Sequence, residues 1–541
     1  MDFELLDSLI QSKKEQFWEM SDQIWGFAEM RFKEDQSSRL QMEFLRNEGF
    51  TVEEGIGDIP TAFSARAGSG RPVIGLLGEY DALPKLSQEA DVTVKKPLAE
   101  GAPGHGCGHH LLGTGCLEAA VAVKDYLLEH PGQGTIVYFG CPAEEGGAGK
   151  AFMVREGCFK DCDICLAWHP YSATFASVSS LANARIIYRF TGKSAHAATS
   201  PYLGRSALDA VELMNVGCNY MREHMIDAAR VHGAITNSGG IAPNVIPSEA
   251  QILYAIRAPK VTQVKKLYER MCDIARGAAL ITGTTVDIKQ VAAYSNVIEN
   301  DTLEDIMYEN MRHFVPIGYT EEELAYARRF QEVITELDKE GLKDLISILS
   351  GRDKEKKRQM EESPMLDFVL ERHVSFGGGG STDVGDVSWV VPTGKVDINC
   401  YAAGTALHSW QAVAQGKAPA AHKGMLTAAK IMACTGAELL EKPELLERIK
   451  EDWLEKLDGE SRYLAGAMTA TTGVKGTPDN AKGCLEALDE ALRAAGLAYA
   501  NVAQIRLNQA APVISDLSMD TVSETTVIGS AMIGHNPDTP G

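Results

Sequence analysis

The chain has 541 residues, 45% of them hydrophobic and 23% charged, with a formal net charge of −22. That length exceeds one ordinary domain, so at least two are expected, and the composition is that of a folded globular protein. An acid excess of this size excludes a nucleic-acid backbone or an anionic membrane as partner, because both require basic patches. The N-terminal MDFELLDSLIQSKKEQFWEM lacks the basic and apolar regions of a secretory leader. No apolar run approaches the roughly 20 residues of a membrane span. The eleven cysteines are scattered and odd in number, which predicts no disulfide framework and a reducing, cytoplasmic setting.

Apolar periodicity sets out the elements in chain order. Residues 1–50 carry apolar positions at helical spacing. The run VIGLL at 73–77 reads as a short buried strand, closed by the turn-rich 78–84. Residues 111–129 read as a helix, and GTIVYFG (134–140) and ICLAW (164–168) as further buried strands. Strands alternating with helices predict an α/β domain, with a mostly parallel mixed sheet flanked by helices. Cys158, Cys162 and Cys165 are spaced like a metal cluster, but Cys165 falls inside an apolar strand and the group reads as core.

From 184 the pattern changes. Strand 184–192, helix 203–224, strands 231–236 and 249–258, helix 260–280 and strand 284–290 give a β-α-β-β-α-β order, that of a ferredoxin-like α+β unit. The expected organisation is a catalytic domain in two parts, 1–183 and 296–458, with 184–295 inserted between them. Residues 320–372 are charge-dense and predict a helical, solvent-exposed insertion. VSFGGGGST (374–382) lacks Gly-Lys-Ser/Thr and a following helix, so it predicts a flexible loop near a site, not a phosphate cradle. Residues 387–392 and 396–400 read as strands, and 411–435 and 443–457 as helices. Residues 459–541 shift to Ala, Gly and Thr and read as an extension of no assignable role, with a helix-like stretch at 481–496.

Three stretches carry chemistry. Cys107 and His109 lie two apart in GHGCGHH (104–110), whose glycines let both side chains turn inward. Glu144 and Glu145 follow in PAEEG (142–146), and His169 in WHP (168–170). His408 comes after the predicted strand 396–400. A lone histidine is usually a satisfied polar residue, and adjacent glutamates are usually a solvated face. In this order, each near a strand end where open α/β sheets build their sites, the thiol, imidazoles and carboxylates read as a metal site. A two-metal centre needs about five protein ligands. Cys107, His109, Glu145, His169 and His408 supply that number, leaving Glu144 to take a proton from water and pass it to a leaving amine. Asp81, in GEYDALP (78–84), is expected to orient a ligating histidine. Zinc, manganese and cobalt all accept such donors. His105 and His110 are expected as loop residues beside the ligand pair.

With these residues in place, the chain resembles the aminoacylase and zinc-carboxypeptidase superfamily of dinuclear metal amidohydrolases, nearest the branch that contains p-aminobenzoyl-glutamate hydrolase. The likeness runs to about residue 458 and includes GHGCGHHLLG (104–113), GCPAEEGGAGK (140–150), GKSAHAA (192–198), GGIAPNVIPSEA (239–250) and GSTDVGDVSWVVPT (380–393). The resemblance implies that Cys107 bridges two metals held also by His109, Glu145, His169 and His408, with Glu144 as general base. It implies that 184–295 is a dimerisation or lid domain, where His196, Asn244 and Arg257 hold the substrate carboxylate and the oxyanion, the histidine reaching across a dimer interface. The family's usual GSEDF is replaced here, so Asp383 and Asp386 are candidates only for supporting contacts, and the role of Glu79 is open. The reading is a metal-dependent amidohydrolase of N-acyl or aroyl amino acids, p-aminobenzoyl-glutamate-like substrates favoured, forming a homodimer or a heterodimer with a related subunit. The alternatives are a dipeptidase of the β-alanyl-lysine type and a catalytically idle metal-binding subunit.

Overall fold

Every residue of the apolar run Val73–Glu79 is buried, as is every residue of Gly134–Cys141. A strand buried on both faces lies inside a layered α/β fold, and these two form the centre of one. The computed structural model describes residues 2–457 except 131–132, 177–178 and 373–379. Most of the predicted glycine-rich loop and the whole 459–541 extension therefore lie outside the described residues.

The strands are β1 (Thr51–Glu54), β2 (Phe63–Ser69), β3 (Val73–Glu79), β4 (Gly134–Cys141), β5 (Ile164–Tyr171), β6 (Phe175–Ala176), β7 (Ala182–Thr191), β8 (Arg230–Asn237), β9 (Glu249–Ala258), β10 (Thr285–Tyr294) and β11 (Thr393–Asn399). Seven form a mixed sheet in the order β1-β2-β4-β3-β5-β11-β6. β3 runs parallel to β4 and β5, and β11 parallel to β5, while β1, β2 and β6 join antiparallel. Alternate side chains serve two layers. Ile74, Leu76, Ile136, Tyr138, Leu166 and Trp168 pack on the long helices Phe3–Phe27, His109–Glu129 and Pro419–Glu441. On the other face Leu77, Val137, Phe139, Cys165 and Ala167 pack on Phe152, Phe159, Val384 and Val387. Cys158 and Cys162 lean on this second layer, and all three cysteines are free thiols.

β7 to β10 form a separate antiparallel sheet in the order β10-β7-β9-β8. The helices Ala207–Arg222 and Val261–Thr282 cover one face, burying Ala184, Ile186, Tyr188, Ile252, Tyr254 and Ile256. Strict alternation along β7 and β9 sends Asn183, Arg185 and Arg257 to the opposite face. Hydrogen bonds tie this unit to the rest. Trp389 Nε1 donates to the Asn296 carbonyl (2.8 Å) and Ser295 Oγ to Asp386 Oδ1 (2.8 Å), and the Trp389 and Trp453 rings pack into the apolar core of the unit.

Several expectations are corrected. β1 and β2 lie where no strand was expected. Residues 387–392 are not a strand: a short buried helix, Val384–Ser388, ends there and a turn leads on to β11, and the apolar residues of the helix face the second layer of the large sheet. The helix expected at 411–435 is two, Trp410–Gln415 and Pro419–Glu441, because Pro419 starts a new first turn and cannot continue the old one. The charge-dense segment is helical, as Glu321–Val333, Glu336–Ser350 and Lys354–Glu362, but it is not simply solvated: Phe330, Ile346 and Met360 are buried.

Leu166 lies on β5 in the main core and is fully buried. We expect Leu166→Ala to lower stability by about 2–5 kcal/mol, from lost burial plus the cavity left behind. The midpoint of urea unfolding checks it.

Candidate active site

The ends of β3, β4, β5 and β11 and the loops after them bring the predicted donors together. Gly108 adopts φ +76°, turning the chain between Cys107 and the helix that His109 begins, and a Cβ there would collide with Tyr401 and Pro170. Cys107 Sγ comes within 3.4 Å of His169 Nε2. His408 Nε2 is 3.1 Å from Glu145 Oε1. The His408 loop is held to the Cys/His loop by its backbone N–H, which donates to the Gly106 carbonyl at 2.8 Å. His408 and Ala143 sit in the left-handed region with φ of 60° and 62°, strain of the kind that collects at functional sites.

Asp81 joins two of these loops. Its Oδ1 lies 2.8 Å from His109 Nδ1, and its Oδ2 accepts the Glu145 backbone N–H at 2.8 Å. That leaves His109 Nε2 facing the site. His109 Nε2 and Glu145 Oε1 are buried without a hydrogen bond of their own. The ligating atoms of Cys107, His109 and His169 lie within 4.8 Å of one another, as do those of Cys107, Glu145 and His408. Cys107 belongs to both groups. Thiol, imidazole and carboxylate around one shared sulfur, with buried donor atoms that make no hydrogen bond, fit a pair of divalent cations.

Burial, with the charges of Glu79, Glu145 and Asp383, pushes the Glu144 carboxyl well above the usual carboxylate range. Burial and then Glu145 raise the Cys107 thiol. Burial and then the charge of Lys395 push His169 down, toward the neutral imidazole a ligand must be. Burial opposes ionisation of Asp81, yet its hydrogen bond with His109 holds it below the ordinary value.

A cavity of about 360 Å³ opens in front of these groups and is walled by both sheets. Cys107, Glu144, Glu145, His169 and His408 line it, and so does Arg257 from β9. His196 and Asn244 do not. They are exposed neighbours, with the Ala197 N–H donating to the Asn244 carbonyl at 2.9 Å. His105 lies in the loop, as expected, while His110 lies in the first turn of the helix His109–Glu129. Both are buried, His105 bonded to the Ile24 carbonyl (3.0 Å) and His110 to the Gly416 carbonyl (2.9 Å), where they join the helical layer.

A model of peptidase family M20/M25/M40 matches residues 75–329. The chain is 45% identical over 453 residues to one of the subunits of p-aminobenzoyl-glutamate hydrolase from Escherichia coli K12, covering 83% of this chain and 94% of that protein. The chain belongs to peptidase family M20/M25/M40. It is 30% identical over 469 residues to human Xaa-Arg dipeptidase, covering 83% and 92% of the two chains. A Bacillus subtilis M20 protein titled a dinuclear metal binding peptidase shares the fold, with a TM-score of 0.50 and 16% identity over 80% of this chain and 99% of that one. Over 75 residues, 14% of its length, the chain is also 51% identical to the diol dehydratase-reactivating factor large subunit of Klebsiella michiganensis, matching 12% of that protein. Its family and its relatives make this chain an amide-bond hydrolase of the M20 class.

Beneath the site of this M20 hydrolase lies a network that reading the sequence missed. Lys150 is fully buried, and its Nζ donates to Glu79 Oε1 (2.5 Å) and Asp383 Oδ1 (2.7 Å), while its backbone N–H donates to Asp383 Oδ2 (2.9 Å). Glu79 Oε2 in turn lies 3.3 Å from His109 Nε2. Glu34 is buried as well, and accepts the backbone N–H groups of Phe32 and Ala143, each at 2.9 Å, and the Thr61 hydroxyl at 3.0 Å. The sequence marked Asp383 for a supporting contact and left Glu79 open; the lone lysine in the small-residue run GGAGKA was the signal passed over, and nothing marked Glu34. Removing one partner of a buried ion pair strands the other charge. We expect Lys150→Met to destabilise the fold by about 3–5 kcal/mol, measured by chemical denaturation.

Proposed function

We propose that the chain is a two-metal amidohydrolase that splits N-acyl or aroyl amino acids into a carboxylic acid and a free amino acid. The observation that carries this is the convergence of Cys107, His109, Glu145, His169 and His408 beside the uncommitted carboxyl of Glu144. Those five would hold two divalent cations, zinc or manganese with cobalt also suited, and Cys107 would be shared between them. When bound, such a pair supplies positive charge that polarises a carbonyl and makes water more acidic.

The chain's own residues do the rest. Glu144 takes a proton from the attacking water as the new C–O bond forms at the amide carbon. It then gives that proton to the amine nitrogen as the C–N bond breaks. Asp81 keeps the Nδ1 proton of His109 and so presents Nε2 to the site. Arg257 offers a guanidinium fork to the carboxylate of the amino-acid half. His196 and Asn244, exposed and outside the cavity of a single chain, suit a site completed across a subunit interface. Two relatives carry names that distinguish different subunits of p-aminobenzoyl-glutamate hydrolase, the Escherichia coli protein and a Haemophilus influenzae homolog of its other subunit. Those names favour pairing with an identical or related chain. The first of these relatives also favours an aroyl-glutamate substrate.

The dipeptidase reading rests on the Xaa-Arg dipeptidase relative. Arg185 and Arg257 line the cavity, and two cations there suit an acidic amino acid better than a basic one.

Glu144→Gln is expected to keep full metal content by elemental analysis while turnover of 4-aminobenzoyl-glutamate falls at least about 1,000-fold, in the range set by losing a general acid–base group. Near-normal turnover would sink the role. Cys107→Ala is expected to lose bound metal, and retention of two ions per chain would refute a shared ligand.

A further inference from the structure

The pocket wall opposite the metal donors is the open face of the second sheet. Antiparallel register sets Asn183 on β7 against Arg257 on β9 and Tyr294 on β10. Arg185 follows two residues along on the same face, about 7 Å further up the strand. All four line the cavity. Asn183 is 1% exposed, and neither its Oδ1 nor its Nδ2 has a hydrogen-bond partner. A buried amide in that condition is costly unless something completes it. The Arg185 guanidinium lies against the Glu144–Gly146 turn, where a Cβ on Gly146 would stand 2.7 Å from its Nη1. Gly146 adopts φ +111°, so the turn both needs a glycine and makes room for this arginine. Burial and the neighbouring charge of Arg185 hold Arg257 below the ordinary arginine range, a sign that two cations share one space. The lysine that lines the cavity from β11 of the first sheet, Lys395, has its own acid, Asp397, at 3.5 Å.

We infer that Asn183 and Arg185 form a second anion subsite beside Arg257, which selects conjugates of dicarboxylic amino acids. The inference rests on the amidohydrolase reading and names its substrate class. Arg257 takes the α-carboxylate. Arg185 takes the side-chain carboxylate, and the Asn183 amide donates between them. The spacing of Arg185 and Asn183 along the strand matches the span of a short dicarboxylic acid.

The test uses the full metal-loaded chain and a nearly isosteric pair, 4-aminobenzoyl-glutamate and 4-aminobenzoyl-glutamine. Wild type is expected to favour the glutamate conjugate in kcat/KM. Arg185→Gln and Asn183→Ala are each expected to lower the glutamate-to-glutamine ratio by about 30-fold, the scale of a lost hydrogen bond to a charged group, and Arg185→Lys to retain most of the ratio. Both substrates sample the same active fraction, so partial unfolding of a variant leaves the ratio unchanged. Equal turnover of the pair by wild type overturns the subsite and leaves the amidohydrolase reading standing. So does a proportional loss on both substrates in the Arg185 and Asn183 variants, which would make them supports for the chemistry and not for selection. Failure of wild type to hydrolyse any N-acyl amino acid overturns the amidohydrolase reading itself, and the subsite with it.

Discussion

One carboxylate holds the site in register. Asp81, at the end of β3, spans from the imidazole of His109 to the backbone of Glu145, with 2.8 Å to each. The first contact orients a ring, and the second pins the turn that carries both glutamates. Glu34 grips the same turn through the Ala143 N–H. Two buried acids so close are expensive, since burial and the charge of Asp81 push Glu34 well above the usual carboxylate range. Their hydrogen bonds are what make the arrangement tolerable. With φ of 62° at Ala143, the turn is one the chain would not adopt unaided, so this cost secures the direction of Glu144 and Glu145.

The Lys150 network repeats the arrangement one level deeper. One ammonium pairs with both Glu79 and Asp383, which come from opposite ends of the catalytic sequence. Glu79 then abuts His109 without competing for Asp81. The site is thus a layered set of charges in which acids near the donors have partners behind them. Side chains held this way lose little further freedom when a substrate arrives.

The second sheet supplies a wall, not a donor to the metal group. Its helical face is closed by apolar packing, and its open face brings Asn183, Arg185 and Arg257 to the cavity. Trp389 and Trp453 pack into the core of that unit, and their indole N–H groups are anchored on the Asn296 and Ser388 carbonyls. The cavity therefore depends on contacts made after the chain has returned to the first sheet.

Much was legible in the sequence because it is local. A continuous apolar run reports a strand covered on both faces, strict alternation reports one covered on a single face, and Cys107 with His109, or Glu144 with Glu145, lie within a few residues of each other. These marked β3, β4, β5 and β11, the β-α-β-β-α-β unit and the candidate metal donors. What the chain cannot announce locally is which distant groups meet. Lys150 beside Asp383, Glu34 beneath Ala143, and Asn183 abreast of Arg257 arise only when sheets close and registers are set. The break before Pro419 and the helix at Val384–Ser388 were likewise decided by packing that overrides short-range pattern. The sequence alone determined the chemistry available. Tertiary structure decided which charges are paired, which polar atoms are left open to a ligand, and that His196 and Asn244 stand apart from the cavity, because burial and pairing are properties of neighbours in space.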